Sequence, residues 1–295
     1  ADDLQAPVLR LGGSVEAIVE SPASPESFKE PPGREVASHA PPRPRPHCPM
    51  REPQLFHIVQ CRHLHIEARR HVITPIRTLF PGSSGDLAGK LEMPNGTPRA
   101  WALFAHCFTC GKDNIAASRI SRALASRGIA VLRIDFTGLG ESEGEFAATD
   151  FSSNVEDLVH AADYLREHFT APAVLIGHSL GGAAVVAARA RIAEVRAVVT
   201  IGAPADPSHV TGLLGDALPA IEAGEATVSI GGRQFRVRRR FLEDIAEQPQ
   251  RERLSTLRAA LLVMHSPTDE VVSVTNARTI FDTARHPKSF ITLEG

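Results

Sequence analysis

The sequence predicts an α/β fold on a mostly parallel, doubly wound sheet, and three observations carry that expectation. From about Pro75 onward, short apolar runs of strand length alternate with amphipathic stretches of helix length, the signature of repeated βα units. The runs Ala100 to Ala105 and Ile129 to Ile134 are apolar at nearly every position, as strands covered on both faces require. Between them Asp113 to Arg127 reads as a helix with Ile115, Ile120 and Leu124 on one face, closed by Gly128.

The other elements follow in order. Ile76 to Phe80 and Leu87 to Glu92 read as early strands, and Asn95-Gly96 marks a tight turn before the first buried strand. Phe151 to Phe169 has the period of a long amphipathic helix, Ala173 to Ile176 is a strand, Leu180 to Ile192 a helix of small residues, and Val195 to Ile201 a strand. The rhythm breaks over 204–256, where a small cap insertion over the site is expected. Within it Val228 to Val237 alternates around Gly231-Gly232 like a hairpin, and Phe241 to Ala246 reads as a short helix. The arginines Arg233, Arg236, Arg238, Arg239 and Arg240 in this stretch read as a solvated face rather than a binding site for an anionic substrate. The βα pattern then resumes with Leu261 to Met264, a helix from about Val274 to Ala284, and a last strand Ser289 to Leu293.

Composition bounds the function. A formal net charge of -2 provides no broad basic field for nucleic acid or a membrane surface, and no apolar run is long enough to span a bilayer. A small-molecule partner is expected, with homo-oligomer formation left open. The four cysteines (Cys48, Cys61, Cys107 and Cys110) form no disulfide framework, and with no signal-peptide pattern at the start the expected setting is reducing and cytoplasmic. Half of the 22 prolines precede residue 54, so residues 1–74 are expected to form a disordered arm, with 75–295 as the folded domain. His57, His63, His65 and His71 lack accompanying carboxylates or a CxxC pair and are read as solvated, not as metal ligands.

The chemistry concentrates at Gly177-His178-Ser179-Leu180-Gly181, a G-x-S-x-G turn between a strand and a helix. Glycine is required two positions either side of the serine because the sharp turn brings backbone and helix too close for a Cβ atom. Such a turn lifts the Ser179 hydroxyl above the sheet as a nucleophile. It also leaves the Leu180 amide at a helix start, where negative charge is favoured.

From about residue 76 the chain resembles the α/β-hydrolase superfamily of serine hydrolases, so the resemblance implies the α/β-hydrolase fold. His106-Cys107-Phe108-Thr109, after a strand, resembles the oxyanion loop, which implies the Phe108 amide as second oxyanion donor. Asp135-Phe136-Thr137-Gly138-Leu139-Gly140-Glu141-Ser142 resembles the family's Asp-x-x-Gly-x-Gly-x-Ser loop, with a mainly structural role. Together with His286-Pro287-Lys288-Ser289-Phe290, the stretch His106 to Asp113 resembles the hydrolase half of bacterial fusion proteins that carry an OsmC-like domain.

In this fold the triad runs Ser, acid, His. Asp269, after the strand and turn Leu261 to Thr268, is the expected acid, with Asp206 as its rival. Of the histidines only His286 follows Asp269, and it precedes the final strand at the wrong edge. His106 and His178 are not expected to serve as the base. The expectation is that the sequence stops short of the triad histidine. The predicted activity is carboxylesterase-like: hydrolysis of an ester, or secondarily an amide or thioester, through an acyl-enzyme on Ser179. No cofactor or metal is needed. Two alternatives stay open: a non-catalytic binding module or pseudoenzyme, and a thiol redox role for Cys107 and Cys110.

Overall fold

The computed structural model describes residues 74–294 and, before them, only the two-residue strand β1 (Ala17–Ile18). The expectations for the proline-rich arm and its histidines otherwise lie outside the described residues. Strands β2 (Ile76–Gly82) and β3 (Gly85–Glu92) form an antiparallel hairpin. The first βαβ unit consists of β4 (Ala100–Ala105), α1 (Ile115–Ala125) and β5 (Ile129–Ile134). The chain continues through α2 (Phe151–His168), β6 (Val174–His178), α3 (Leu180–Ala188) and β7 (Ala197–Ile201). An insert then carries α4 (Leu218–Glu222), β8 (Glu225–Ile230), β9 (Arg233–Arg238), α5 (Arg239–Ala246) and α6 (Gln250–Ser255). Strand β10 (Ala260–His265), α7 (Thr275–Thr283) and β11 (Lys288–Thr292) complete the fold.

The main sheet has the order β1-β11-β10-β7-β6-β4-β5-β3-β2 among the described residues. From β5 through β11 its neighbours are parallel, with β1, β2 and β3 antiparallel at the two edges. Alternate side chains face opposite layers. Leu103, Ala105, Leu132, Leu175 and Val198 pack into the larger core with α2, α3 and α7, while Ala102, Phe104, Val131, Ile176 and Ile201 face α1. The chain returns from β5 across β4 to start β6. The carboxyl ends of β4 and β6 therefore flank a topological switch point, where an open α/β sheet leaves a crevice.

Local chemistry fixes the helices that frame this point. Asp150 and Ser153 cap α2 reciprocally: the Ser153 amide donates to Asp150 Oδ1 at 2.8 Å and the Asp150 amide to Ser153 Oγ at 2.9 Å. Its inner face buries Phe151, Val155, Leu158, Ala162 and Leu165, with each large apolar side chain stabilising by about 1.5–3 kcal/mol. Helix α3 is buried at every position from Leu180 to Ala188, and only its small residues let it lie this close to sheet and insert.

Three expectations need correction. The helix predicted over Asp113 to Arg127 is α1, and Ile120 and Leu124 pack partly buried against the sheet as predicted, but Ile115 is 64% exposed and the fully buried positions are Ala117, Ser118, Ser121 and Ala125. Ile115 is the first helical residue after the Asn114 cap and points away from the sheet, and small side chains make the close contact instead. The helix predicted from Leu180 to Ile192 ends at Ala188 and tightens into a 3₁₀ turn over Arg189–Arg191. The arginine run is not simply solvated. Arg236 and Arg238 pair with Glu145 and Glu225, Arg239 with Glu243, and Arg240 with Asp150. The β8–β9 hairpin turns through Gly231 and Gly232, both at positive φ (57° and 74°), as a tight two-residue turn demands. No helix among the described residues is long and apolar enough to cross a membrane.

Candidate active site

Ser179 sits between β6 and α3 with φ 53° and ψ −128°, a conformation that costs a non-glycine residue about 1–3 kcal/mol. The Ser179 amide donates to the Ile201 carbonyl at 2.9 Å and the Gly182 amide to the Ser179 carbonyl at 2.8 Å, so the strained turn is held from both sides. The glycines answer to specific neighbours. A Cβ on Gly177 would collide with the Gly181 carbonyl, and one on Gly181 would meet the His106 and Ala105 carbonyls. The turn is therefore packed directly against the end of β4, where the His106 loop begins.

That loop carries Phe108. Neither the Phe108 amide nor the Leu180 amide has a hydrogen-bond acceptor among the described residues, which leaves both free to donate. Phe108 is 5% exposed, and its ring lies 5.6 Å from Phe146 and 5.0 Å from Phe241 of α5. Arg233 of the hairpin donates from Nη1 to the Thr109 carbonyl at 3.2 Å. Cys107 and Cys110, for which the sequence offered no disulfide framework, are bonded to each other across Phe108 and Thr109.

A buried charge cluster fixes the far end of the loop. Asp135 Oδ1 accepts from the Lys112 amide at 2.6 Å, and Lys112 Nζ donates to Asp135 Oδ2 at 2.5 Å and pairs with Glu141 at 2.8 Å. Burial by itself would lower the Lys112 pKa, but its hydrogen bonds to Asp135 and Glu141 outweigh that and raise it. Arg133, behind it, pairs with Glu92 at 2.8 Å and donates to the Lys112 carbonyl. The sequence reading singled out neither Lys112 nor Arg133 and treated Asp135 as part of a structural loop.

His106, near the turn, is neutral and already engaged. Burial lowers the His106 pKa to about 4; its Nδ1 donates to the Cys107 carbonyl at 2.7 Å while Nε2 accepts from the Phe136 amide at 3.3 Å. Burial also lowers the His178 pKa, opposed by the charge of Asp269. A narrow crevice lined by Phe104, His106, Cys107, His178 and Ile201 runs beside the turn, with a cavity volume of about 10 Å³, space for roughly one water. His286 is exposed. No histidine among the described residues is hydrogen-bonded to Ser179.

Asp269 follows β10 and uses one oxygen on its own turn: the Val271 and Val272 amides each donate to Oδ1 at 2.9 Å. Its Oδ2 accepts no hydrogen bond among the described residues. It lies 3.6 Å from His265 Nε2, which is committed to the Val272 carbonyl at 2.6 Å. A Cβ on Gly202, one residue past β7, would be 3.3 Å from Oδ2. Asp269 thus faces the carboxyl end of β7, beside the Ser179 turn. Asp206 is occupied elsewhere, capping a 3₁₀ turn through the Ser208 amide at 2.8 Å.

Two buried groups make opposing demands on pH. Because the folded pKa of His106 lies below its unfolded value of 6.5, its contribution to stability is complete above that pH and is lost as pH falls through 4. Burial raises Asp157 to about 6 despite hydrogen bonds from the Thr137 amide and hydroxyl, so its contribution is complete below pH 3.8 and is lost as pH rises through 6. Between pH 4 and 6 the two slopes oppose each other. Asp157→Asn should expose the His106 slope, with urea unfolding showing a loss of up to about 3 kcal/mol from pH 6.5 to pH 4 and a flatter profile for the parent. Parallel profiles for the two proteins would contradict this.

A family model described as the alpha/beta hydrolase family matches residues 95–287. The chain is 28% identical over 221 residues to a monoacylglycerol lipase of Mycolicibacterium smegmatis, a match covering 64% of this chain and 77% of that protein. It is 33% identical over 92 residues to the human monoglyceride lipase, covering 30% of each. Among solved structures it is similar to the esterase domain of a Rhodothermus marinus protein, at 47% identity and a TM-score of 0.62, covering 75% of this chain and 88% of that one. It shares its fold with Est1E of Butyrivibrio proteoclasticus, solved with ferulic acid bound, at 20% identity and a TM-score of 0.65, covering 73% and 88%. Fold, site and relatives define a class, the α/β hydrolases with esterase and lipase relatives. The chain belongs to the α/β-hydrolase family.

Proposed function

We propose that this chain is a serine esterase working through an acyl-enzyme on Ser179. The observation that carries the reading is the strained, glycine-packed Ser179 turn, packed against the end of β4, together with two amides, Phe108 and Leu180, that have no acceptor among the described residues. In this mechanism Ser179 Oγ attacks the ester carbonyl carbon, and the two amides donate to the developing oxyanion. The alcohol leaves with a proton, and water then releases the acid by the same path. The base is an imidazole bridging Ser179 Oγ and the free Asp269 Oδ2, which orients it as the acid of a triad does. No described histidine makes that bridge, so it is assigned to a residue outside the described set. Esters are favoured over amides by the lipase and esterase relatives. The Phe108, Phe146 and Phe241 rings suit an apolar substrate group, and the insert acts as a cap.

The test measures p-nitrophenyl ester turnover by this chain and by a form extended at its C-terminus with a histidine-bearing segment, together with fluorophosphonate labelling mapped by mass spectrometry. Label on Ser179 and faster turnover by the extended form are expected. Label elsewhere would end the assignment. The missing hydrogen bond from Ser179 to an imidazole favours a second reading, a binding module without catalysis, which would hold if no form turns over any ester.

A further inference from the structure

We propose that Cys107 and Cys110 are a reversible redox site whose disulfide orders the oxyanion loop, with a dithiol as the reductant it takes. The two sulfurs are bonded, and the ring they close contains only Phe108 and Thr109. The Phe108 amide has no acceptor among the described residues, and on the esterase reading it is one of the two oxyanion donors. Both feet of the loop are anchored independently. His106 is buried at the end of β4, and Lys112 is tied to Asp135 by backbone amide and ammonium alike. Between those feet the disulfide is the covalent brace, with Cys110 also donating from its amide to the Cys107 carbonyl at 3.3 Å.

From the insert, the Phe241 ring and the Arg233 guanidinium hold Phe108 and Thr109 respectively. Opening the disulfide thus frees the two residues that connect the oxyanion donor to the insert, while leaving the sheet and the Ser179 turn in place. Cys107 and Cys110 are both partly exposed, so a reductant can reach the pair from solvent without unfolding the domain. The bond spans a half-exposed loop at the site.

The chemistry balances within thiol–disulfide exchange. A thiolate of the dithiol attacks one sulfur, the Cys107–Cys110 bond breaks, and the departing cysteine takes a proton. The second reductant thiol then attacks the mixed disulfide and releases the other cysteine. The protein gains two electrons and two protons, and the reductant leaves as a cyclic disulfide.

The effect on Ser179 rests on the esterase reading, whereas the redox chemistry and its effect on the loop do not. The experiment treats the full chain with dithiothreitol and then with diamide. Differential alkylation follows the 107–110 peptide, deuterium exchange follows residues 106–112, and fluorophosphonate labelling follows Ser179. On reduction, exchange in 106–112 should rise about tenfold with β6 unchanged, and labelling should slow about tenfold, less than the loss of a whole oxyanion donor; both should return on reoxidation. Cys107→Ser with Cys110→Ser should match the reduced protein and ignore dithiothreitol, while Cys48→Ser with Cys61→Ser should keep the response. If the first double variant fails to fold, the cycle on the parent chain decides. A pair that dithiothreitol cannot open in the native protein overturns the proposal, as does one that diamide cannot close or loop exchange identical in both states. Loop exchange that responds while Ser179 labels in neither state, in this chain and in the C-terminally extended form alike, supports the redox site and removes the esterase reading instead.

Discussion

In the extended form that carries the bridging imidazole, Ser179→Ala should abolish fluorophosphonate labelling and lower ester turnover by about three orders of magnitude or more, since removal of a nucleophile leaves only the oxyanion site and substrate binding to act. The fold should survive, because the hydroxyl accounts for none of the turn's backbone bonds: the Ser179 amide and carbonyl make those to Ile201 and Gly182. A second variant separates chemistry from strain. At φ 53° a Cβ is disfavoured, so Ser179→Gly should be as inactive as the alanine variant yet about 1–2 kcal/mol more stable in urea unfolding. Turnover unchanged in both variants would remove Ser179 from the reaction. Equal stability of the two would show that the turn stores no strain.

The parts of this site that were legible in the sequence are those whose constraints are local. The strands Ala100–Ala105 and Ile129–Ile134 were readable to the residue because burial on both faces leaves only apolar choices. The Ser179 turn was readable because its glycines answer to atoms four or five residues away or to the adjoining strand end. Asp269 could be placed after β10, but that its two oxygens divide between a turn and an open side is visible only in three dimensions. Helix α1 was legible at Ile120 and Leu124, which pack against the sheet, and misled only at Ile115, while Ala117, Ser121 and Ala125 complete the buried face where periodicity gives small residues little weight. Partners distant in sequence carry no periodic signal at all. Lys112 and Asp135 are 23 residues apart, and Arg236 and Glu145 are 91 apart. Nothing in a run of arginines or a lone lysine announces such pairs.

Lys112→Met should cost about 3–5 kcal/mol of unfolding free energy, the range expected when one partner of a buried ion pair is removed. Lys112 and Asp135 are 2% and 1% exposed, so the Asp135 carboxylate would keep its charge out of water with only the Lys112 and Glu141 amides donating to it. The remaining donors cannot replace the ammonium, and water cannot reach the oxygen it leaves. Removing both charges separates this cause from simple loss of packing. Lys112→Met with Asp135→Asn should be more stable than Lys112→Met alone although it carries one more change, because no charge is then stranded. A double variant less stable than the single would assign the cost to packing around the lysine stem instead. The loop provides a second readout. Because the Lys112 amide and ammonium both hold Asp135, a change there reaches Phe108 only along the backbone of the three intervening residues Gly111, Cys110 and Thr109, braced by the disulfide. With the disulfide closed, the single variant should therefore lose far more stability than Ser179 loses in labelling rate; a labelling loss that tracks the stability loss would show that the oxyanion donor is positioned by the buried ion pair.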